Sequence, residues 1–385
     1  MKILHVCLAN FYIDNYSYQE NVLPKMHKKM GLEVRILAST ETFVGGKKLG
    51  YLKPSTYINE YGIEVTRLPY VKWLLPKLAR KLRIYPKVYE YLENYKPDII
   101  FMHDVQFLSI KKIVKYAKNN PNVRIIADGH SDFSNSATNF ISRHILHGII
   151  YKKSIRKAEP YIERFYGVLP ARVEFFKKVY GIPEQKVFFL PMGVDDDVAK
   201  KYGSEAAGLR VRKENGIDEN DFLIVSGGKI DCWKKQTLLL MSAVNSIDNP
   251  KLKLLIFGSV VDELKDDFNS KLSDKIIYKD WATVSQSYEY FAAADVAIFP
   301  GRHSVYWEQS AGLGKPLIVK YWEGTTHVDL GGNVLFLYKD SEEEIKDALI
   351  KIMNDGDFFS EMKKNAQEKG RSFFSYLSIA ERSIK

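Results

Sequence analysis

Two lysines and a glycine pair give the first chemical reading of the chain. Lys229 and Lys235 bracket a short loop that starts on "SGGK" and enters the helical stretch "QTLLLMSAV". Ammonium groups beside a helix N-terminus suit a diphosphate, because backbone N–H groups and positive charge converge there. Gly228 lets the main chain come close to such a ligand. The loop has neither GxGxxG nor GxxxxGK[ST] spacing, so it is neither a dinucleotide fingerprint nor a Walker loop. A plainer alternative is a solvated turn with surface lysines. A second polar cluster follows the apolar run "DVAIF" in "PGRHSVYWEQSAGLGKP". There His303 and Ser304 can face the same phosphates, and Glu308 or Gln309, one turn into a helix, can bond sugar hydroxyls.

A third cluster lies in the first half. "FMHDVQF" places His103 and Asp104 after one strand, and "ADGHSDFSNS" places Asp128 and His130 after the next. One histidine at a strand end is ordinarily a hydrogen-bonded structural residue. Two consecutive strand ends carrying His and Asp point to a site. Asp104 and Asp128 are the weaker candidates, since such carboxylates often cap the next helix.

Each cluster needs a strand that ends beside it, the two second-half clusters on the same carboxyl edge. "KILHVCLA", "EVRILAS", "IEVTRLP", "DIIFMHD" and "RIIADGH" read as strands, with helical stretches at 18–30 and 105–119 between them. "FLIVSGG", "LKLLIFG", "KIIYKDW", "DVAIFPG", "KPLIVKY" and "NVLFLY" repeat the alternation. Strand–helix alternation with short connections predicts α/β architecture with parallel sheets, and two series predict two Rossmann-like domains. In open α/β sheets ligands bind beyond the carboxyl ends of strands, where the three clusters stand. The charged stretch 197–220 reads as the linker between the series. The expected domains are 1–200 and 201–370, with 371–385 an amphipathic helix packing back across the hinge.

The 385 residues are 45% hydrophobic, enough for sizeable cores. No apolar run approaches the roughly 20 residues that span a bilayer. The N-terminus reads as a strand, so a cytoplasmic protein is expected. Cys7 and Cys232 form no CxxC pair, which argues against a disulfide framework or a zinc site. The net charge of +10 calls for an anionic partner. No zinc-finger spacing, RNP-like motif or basic tail suggests nucleic acid. Residues 71–92 carry six Lys/Arg against one Glu among Trp73 and several leucines. That mixture suits peripheral contact with an anionic membrane, although Pro76 and Pro86 interrupt any helix. The alternative is a basic face whose leucines pack inward.

Taken in order, several segments resemble the retaining GT-B glycosyltransferases of family four, the glycosyl transferases group 1 type. "FYGVLPARVEFFKKVYGIPEQKVFFLPMGVD" is similar to that family's segment ending in a Pro-x-Gly-Val-Asp turn. "GGKIDCWKKQTLLLMSAV" resembles its Gly-Arg...Lys-Gly segment, with Lys229 for Arg and Gln236 for Gly. "YKDWATVSQSYEYFAAADVAIFPG" resembles the block before the donor loop, and "WEQSAGLGKPLIV" the end of the Glu-x7-Glu motif. The resemblance implies two Rossmann-like domains facing each other across a cleft, with acceptor on the first and nucleotide-sugar donor on the second. It implies metal-independent retention without a cofactor, Lys229 and Lys235 on the diphosphate, and His130 near the reacting sugar. A UDP-hexose donor and a glycan or lipid-linked acceptor are the default expectation. Three features depart from the family. The first Glu has no counterpart, register from Gly314-x-Pro316 puts Gln309 at the second, and the first loop lacks a Gly-Gly pair. These departures leave room for a catalytically silent subunit that stabilises or targets a partner. Epimerase and phosphorylase readings find less support, since no pyridoxal-lysine motif is evident.

Overall fold

The computed structural model describes residues 1–44, 48–136 and 139–385. It divides into two compact units, Met1–Pro191 with Ala380–Lys385, and Met192–Ile379.

In the first unit the strands are β1 (Lys2–Cys7), β2 (Glu33–Ser39), β3 (Glu41–Val44), β4 (Lys48–Tyr51), β5 (Ser55–Ile58), β6 (Glu64–Leu68), β7 (Ile99–His103), β8 (Arg124–Gly129), β9 (Arg164–Gly167) and β10 (Val187–Phe189). Among the described residues, eight form one sheet ordered β10-β9-β8-β7-β1-β2-β6-β5, while β3 and β4 pair separately. Every neighbour pair in the large sheet is parallel except β5–β6. The central strand β7, "IIFMH", is buried throughout, as a parallel strand covered on both faces requires.

The second unit contains β11 (Phe222–Gly227), β12 (Leu252–Phe257), β13 (Ile276–Lys279), β14 (Val296–Phe299), β15 (Leu317–Lys320) and β16 (Val334–Leu337). Their order, β13-β12-β11-β14-β15-β16, is all parallel and is the doubly wound dinucleotide-type arrangement. Strand order reverses beside β1 and β7 in one sheet and beside β11 and β14 in the other. Chains leaving adjacent strands to opposite faces open a crevice there, so each sheet has one preferred ligand rim.

Two expectations need correction. Residues 197–220 are mostly helical, not a linker. Asp195 caps the helix Asp196–Tyr202 by accepting from the Asp197 and Val198 N–H groups, and Ser204 caps Glu205–Glu214. Those caps override the charged, glycine-containing composition. The stretch 105–119 is helical only over Ile110–Asn119. The 71–92 segment is broken as its prolines dictate, into Pro76–Leu82 and a helix starting at Val88. Among the described residues, no helix is long and apolar enough to cross a membrane.

Candidate functional site

The rim of the second unit is built from the loops after β11, β12 and β14. Gly228 leaves β11 with φ +116, a conformation that L side chains rarely adopt. A methyl group there would stand 3.4 Å from Lys234 Nζ and 3.7 Å from the Tyr306 ring, so lysine and aromatic both lean over this glycine. Gly258, after β12, has φ +135, and its absent Cβ would lie 2.0 Å from the Gly228 carbonyl oxygen. Gly258 therefore sets how closely the loops after β11 and β12 approach each other. Gly258→Ala is expected to destabilise the protein by at least about 2 kcal/mol and to weaken nucleotide binding, which denaturant melts and titration with UDP would measure.

Lys229 is exposed and stands 3.8 Å from Asp231. Lys235 is also exposed and occupies the N-cap of the eleven-residue helix Gln236–Ser246. Lys234, which the motif comparison passed over, is less exposed than either and lies over the loop itself. Burial lowers its pKa, and the Arg302 guanidinium lowers it further, against the opposing pull of Asp231. A cation held at a cost without its ligand is suited to receive an anion. Arg302 stacks 5.1 Å from the Trp233 ring centroid and so ties this loop to the one after β14.

His303 and Ser304 follow β14, as read from the sequence, and are partly exposed. The helix after them, Tyr306–Gly312, has only seven residues, and its Trp307 N–H donates to the Ser304 carbonyl at 2.9 Å. The longer helix behind Lys235 is thus the better anion partner. Glu308 is fully buried, and its Oε1 accepts from His303 Nε2 at 2.9 Å and His327 Nε2 at 2.8 Å. Burial alone would raise its pKa, yet the two imidazoles hold the carboxyl well below the usual range. Gln309 is buried too and donates to Ser287 Oγ at 3.0 Å. Both residues turn into the domain, where Glu308 braces the loop carrying His303.

The rim of the first unit brings His103, Asp104, Asp128 and His130 together at the ends of β7 and β8. Asp104 has φ +63, tolerated by Asp, and accepts from the His130 N–H at 2.9 Å. Burial raises the Asp104 pKa. Asp128 is fully buried and takes hydrogen bonds from His103 Nδ1 at 2.8 Å, Gln19 Nε2 at 3.0 Å and the Asp104 N–H at 3.2 Å. His130 Nε2 stands 3.4 Å from Asp128 and 3.9 Å from Glu20. Burial pulls the His130 pKa down, but Asp128, then Glu20, outweigh it and push it up to about 9. At neutral pH His130 is therefore an imidazolium, a hydrogen-bond donor and not a base.

Sequence reasoning missed Glu20 and Gln19, which open the helix Gln19–Lys29. It also missed what replaces a Gly-Gly pair in the loop before that helix. The buried Arg67 guanidinium pairs with Asp14 at 3.0 Å and donates to the Tyr12 carbonyl at 3.0 Å, pinning the loop from beneath. The aspartate run at 195–197 is a helix cap: besides the Asp195 cap, Asp196 accepts from Ser375 Oγ at 2.6 Å. Two clusters, His103–Asp128–His130 and His303–Glu308–His327, bring two imidazoles and a carboxylate within 4.8 Å, close enough to ligate a cation.

Residues 209–370 match the family model described as glycosyl transferases group 1. Searching curated proteins finds no match to the chain. Among solved structures, Alr3699/HepE from Anabaena in complex with UDP is similar at 15% identity, over 99% of this chain and 98% of that one, with a TM-score of 0.68. WaaG, a glycosyltransferase of lipopolysaccharide biosynthesis, is similar at 13% identity over 99% and 98%, with a TM-score of 0.64. A UDP-GlcNAc 2-epimerase from Neisseria meningitidis, bound to UDP-GlcNAc, is similar at 12% identity over 100% and 99%, with a TM-score of 0.65. At these identities the structural likeness speaks for the fold, and the family model speaks for the second unit. The chain has the GT-B fold and, over residues 209–370, a glycosyl transferases group 1 domain.

Proposed function

We propose that the protein is a retaining glycosyltransferase that moves a hexosyl unit from a nucleotide sugar, by default a UDP-hexose, to a glycan or lipid-linked acceptor of a surface polysaccharide or glycolipid. The observation that carries this reading is the loop after β11. In it a left-handed glycine, a partly buried lysine and a helix N-terminus meet at the point where strand order reverses, within the matched domain. As the glycosidic C–O bond of the donor breaks, charge grows on the leaving diphosphate. Lys229, Lys234, Lys235 and the backbone N–H groups stabilise it there. Gly228 permits the approach, and His303 and Ser304 border the phosphates. In the first unit, His130 donates a hydrogen bond to the reacting sugar, while His103, Asp104 and Asp128 hold it in place. The lysines supply the charge a divalent ion would bring, so transfer proceeds in EDTA. Restoration of a lost activity by magnesium or manganese would contradict this.

One observation favours a second reading, a silent subunit that stabilises or targets a partner enzyme. Glu308 and Gln309, the two candidates for the ribose contact, are buried and bonded within the domain. Thermal melts with UDP separate the readings: an enzyme is stabilised by an amount that grows with the logarithm of ligand excess over Kd, and a subunit with no nucleotide site is not.

The proposed acceptor chemistry also fits the 71–92 segment. Trp73 and Leu75 are 76% and 74% exposed, beside exposed Lys72, Lys77 and Lys81. Arg83 is partly buried instead, and Arg80 stacks 3.9 Å from the Tyr51 ring centroid, so these two contribute less. Each Lys near an anionic bilayer adds roughly 1 kcal/mol. Changing Trp73, Leu75, Lys77 and Lys81 together to Ser is expected to abolish sedimentation with phosphatidylglycerol vesicles and leave donor hydrolysis unchanged. Wild-type protein that stays in solution with such vesicles at low salt would remove the membrane from the account.

A further inference from the structure

Glu308 is a buried carboxylate whose two oxygens are treated unequally. Oε1 meets both imidazoles, His303 Nε2 at 2.9 Å and His327 Nε2 at 2.8 Å. Oε2 is buried as well and takes no hydrogen bond from the described residues. Its desolvation is therefore a cost that no donor returns. The side chains of Glu308, His327 and His303 are 0%, 2% and 12% exposed. They converge from three segments of the second unit: the helix Tyr306–Gly312, the turn Thr326–Val328 beyond β15, and the loop after β14. The two rings stand with centroids 5.8 Å apart.

Two imidazoles and one carboxylate are a zinc ligand set. Zinc holds such nitrogens and oxygens at about 2.0–2.2 Å in a tetrahedron, which places the ligand atoms about 3.3 Å apart. The observed 2.8 and 2.9 Å need to open by only about half an ångström. Magnesium and calcium prefer shells of oxygen, and this cluster offers a single carboxylate. The other His–Asp–His cluster is less suited. There Asp128 already takes His103 and Gln19 on Oδ2 and the Asp104 N–H on Oδ1, so an ion would have to displace donors that Glu308 does not have.

We propose that His303, Glu308 and His327 form a site for one zinc ion, which pins the loop after β14 to the body of the second unit. Each ring turns an Nε2 lone pair to the ion, its hydrogen moving to Nδ1 or to solvent, and Glu308 supplies the oxygen. Solvent gives the fourth ligand on the side of His303, the most exposed of the three. No cysteine takes part, so the spacing of Cys7 and Cys232 does not bear on this site. The ion takes the place of two hydrogen bonds that already hold the loop. Sugar transfer in EDTA is therefore expected with or without it, and the site does not depend on the function proposed above.

Titration of the chelator-treated full chain with zinc chloride, and separately with magnesium chloride, tests the site with no donor or acceptor present. One equivalent of zinc should bind, and the melting temperature should rise by a few degrees at free zinc about 100-fold above Kd, with no response to magnesium. X-ray absorption at the zinc edge should show nitrogen and oxygen neighbours at about 2.0–2.2 Å and no sulfur. His327→Gln keeps a donor for Glu308 but removes a ligand. Its zinc affinity should fall by more than about 100-fold, since even residues behind a ligand are worth roughly 10–100-fold. His103→Gln should bind zinc as the wild type does. No bound zinc, a sulfur neighbour, undiminished affinity in His327→Gln or lost affinity in His103→Gln would each overturn the proposal. Should His327→Gln not fold, His303→Gln on the partly exposed loop takes its place in the same comparison. None of these readouts uses sugar transfer, so their failure leaves that reading standing.

Discussion

Replacing His130 with alanine is expected to lower sugar transfer by about 10²–10³-fold, the usual cost of losing one aligned donor in a transition state. Nucleotide affinity should not change, because His130 belongs to the first unit and the lysine loop proposed to hold the phosphates to the second. The charge on His130 adds a pH signature. With its pKa near 9, the ring stays protonated across the neutral range, so transfer should be level from pH 6.5 and fall as one proton leaves near pH 9. Stability follows the same sign. The folded pKa lies above the ordinary histidine value of about 6.5, so the contribution is complete below that pH and is lost as pH rises through the folded value. His130→Gln keeps a donor without a titration, and its rate should show no break near pH 9. Loss of nucleotide binding and of thermal stability together in His130→Ala would mark the residue as structural.

Lys234→Ala carries the second large effect. Its ammonium leans over Gly228 and is partly desolvated, whereas Lys229 and Lys235 are solvated and their attraction for an anion is screened. Turnover with saturating donor should drop about 10²–10³-fold in Lys234→Ala. Lys229→Ala and Lys235→Ala should each cost less, and the losses should shrink together as salt rises. Equal rates for all three variants and the wild type would show that the lysines do not bear on the leaving group.

How much of this could be read without coordinates differs by element. Each strand named from the sequence is present, since short apolar runs ending at Gly, Asp or Pro leave few other options in a parallel sheet. Rims followed from the strands, because ligands gather at their carboxyl ends. Other features depend on partners far away in the chain. His5 sits in "KILHVC" and reads as one more strand residue; its partner His103 is 98 positions on. Lys234 and Lys235 are neighbours in a lysine pair, and only the turn held by Asp231 decides which one reaches Gly228. The burial of Glu308 hangs on His327, a residue beyond β15 that no motif singled out. The helices after Asp195 and Ser204 carried legible caps, but their charge obscured them.

The central claim, that the glycosyl transferases group 1 domain works on a nucleotide sugar through its lysine loop, is tested most directly by donor hydrolysis. Wild-type protein and Lys234→Ala would be incubated in EDTA with UDP-, GDP- and ADP-hexoses, and released nucleoside diphosphate followed over time. The account predicts slow release from one nucleotide class, UDP by default, that survives chelation and falls about 10²–10³-fold in Lys234→Ala. No release from any donor, with no shift in melting temperature on adding the nucleotides, would contradict it and leave the silent-subunit reading standing.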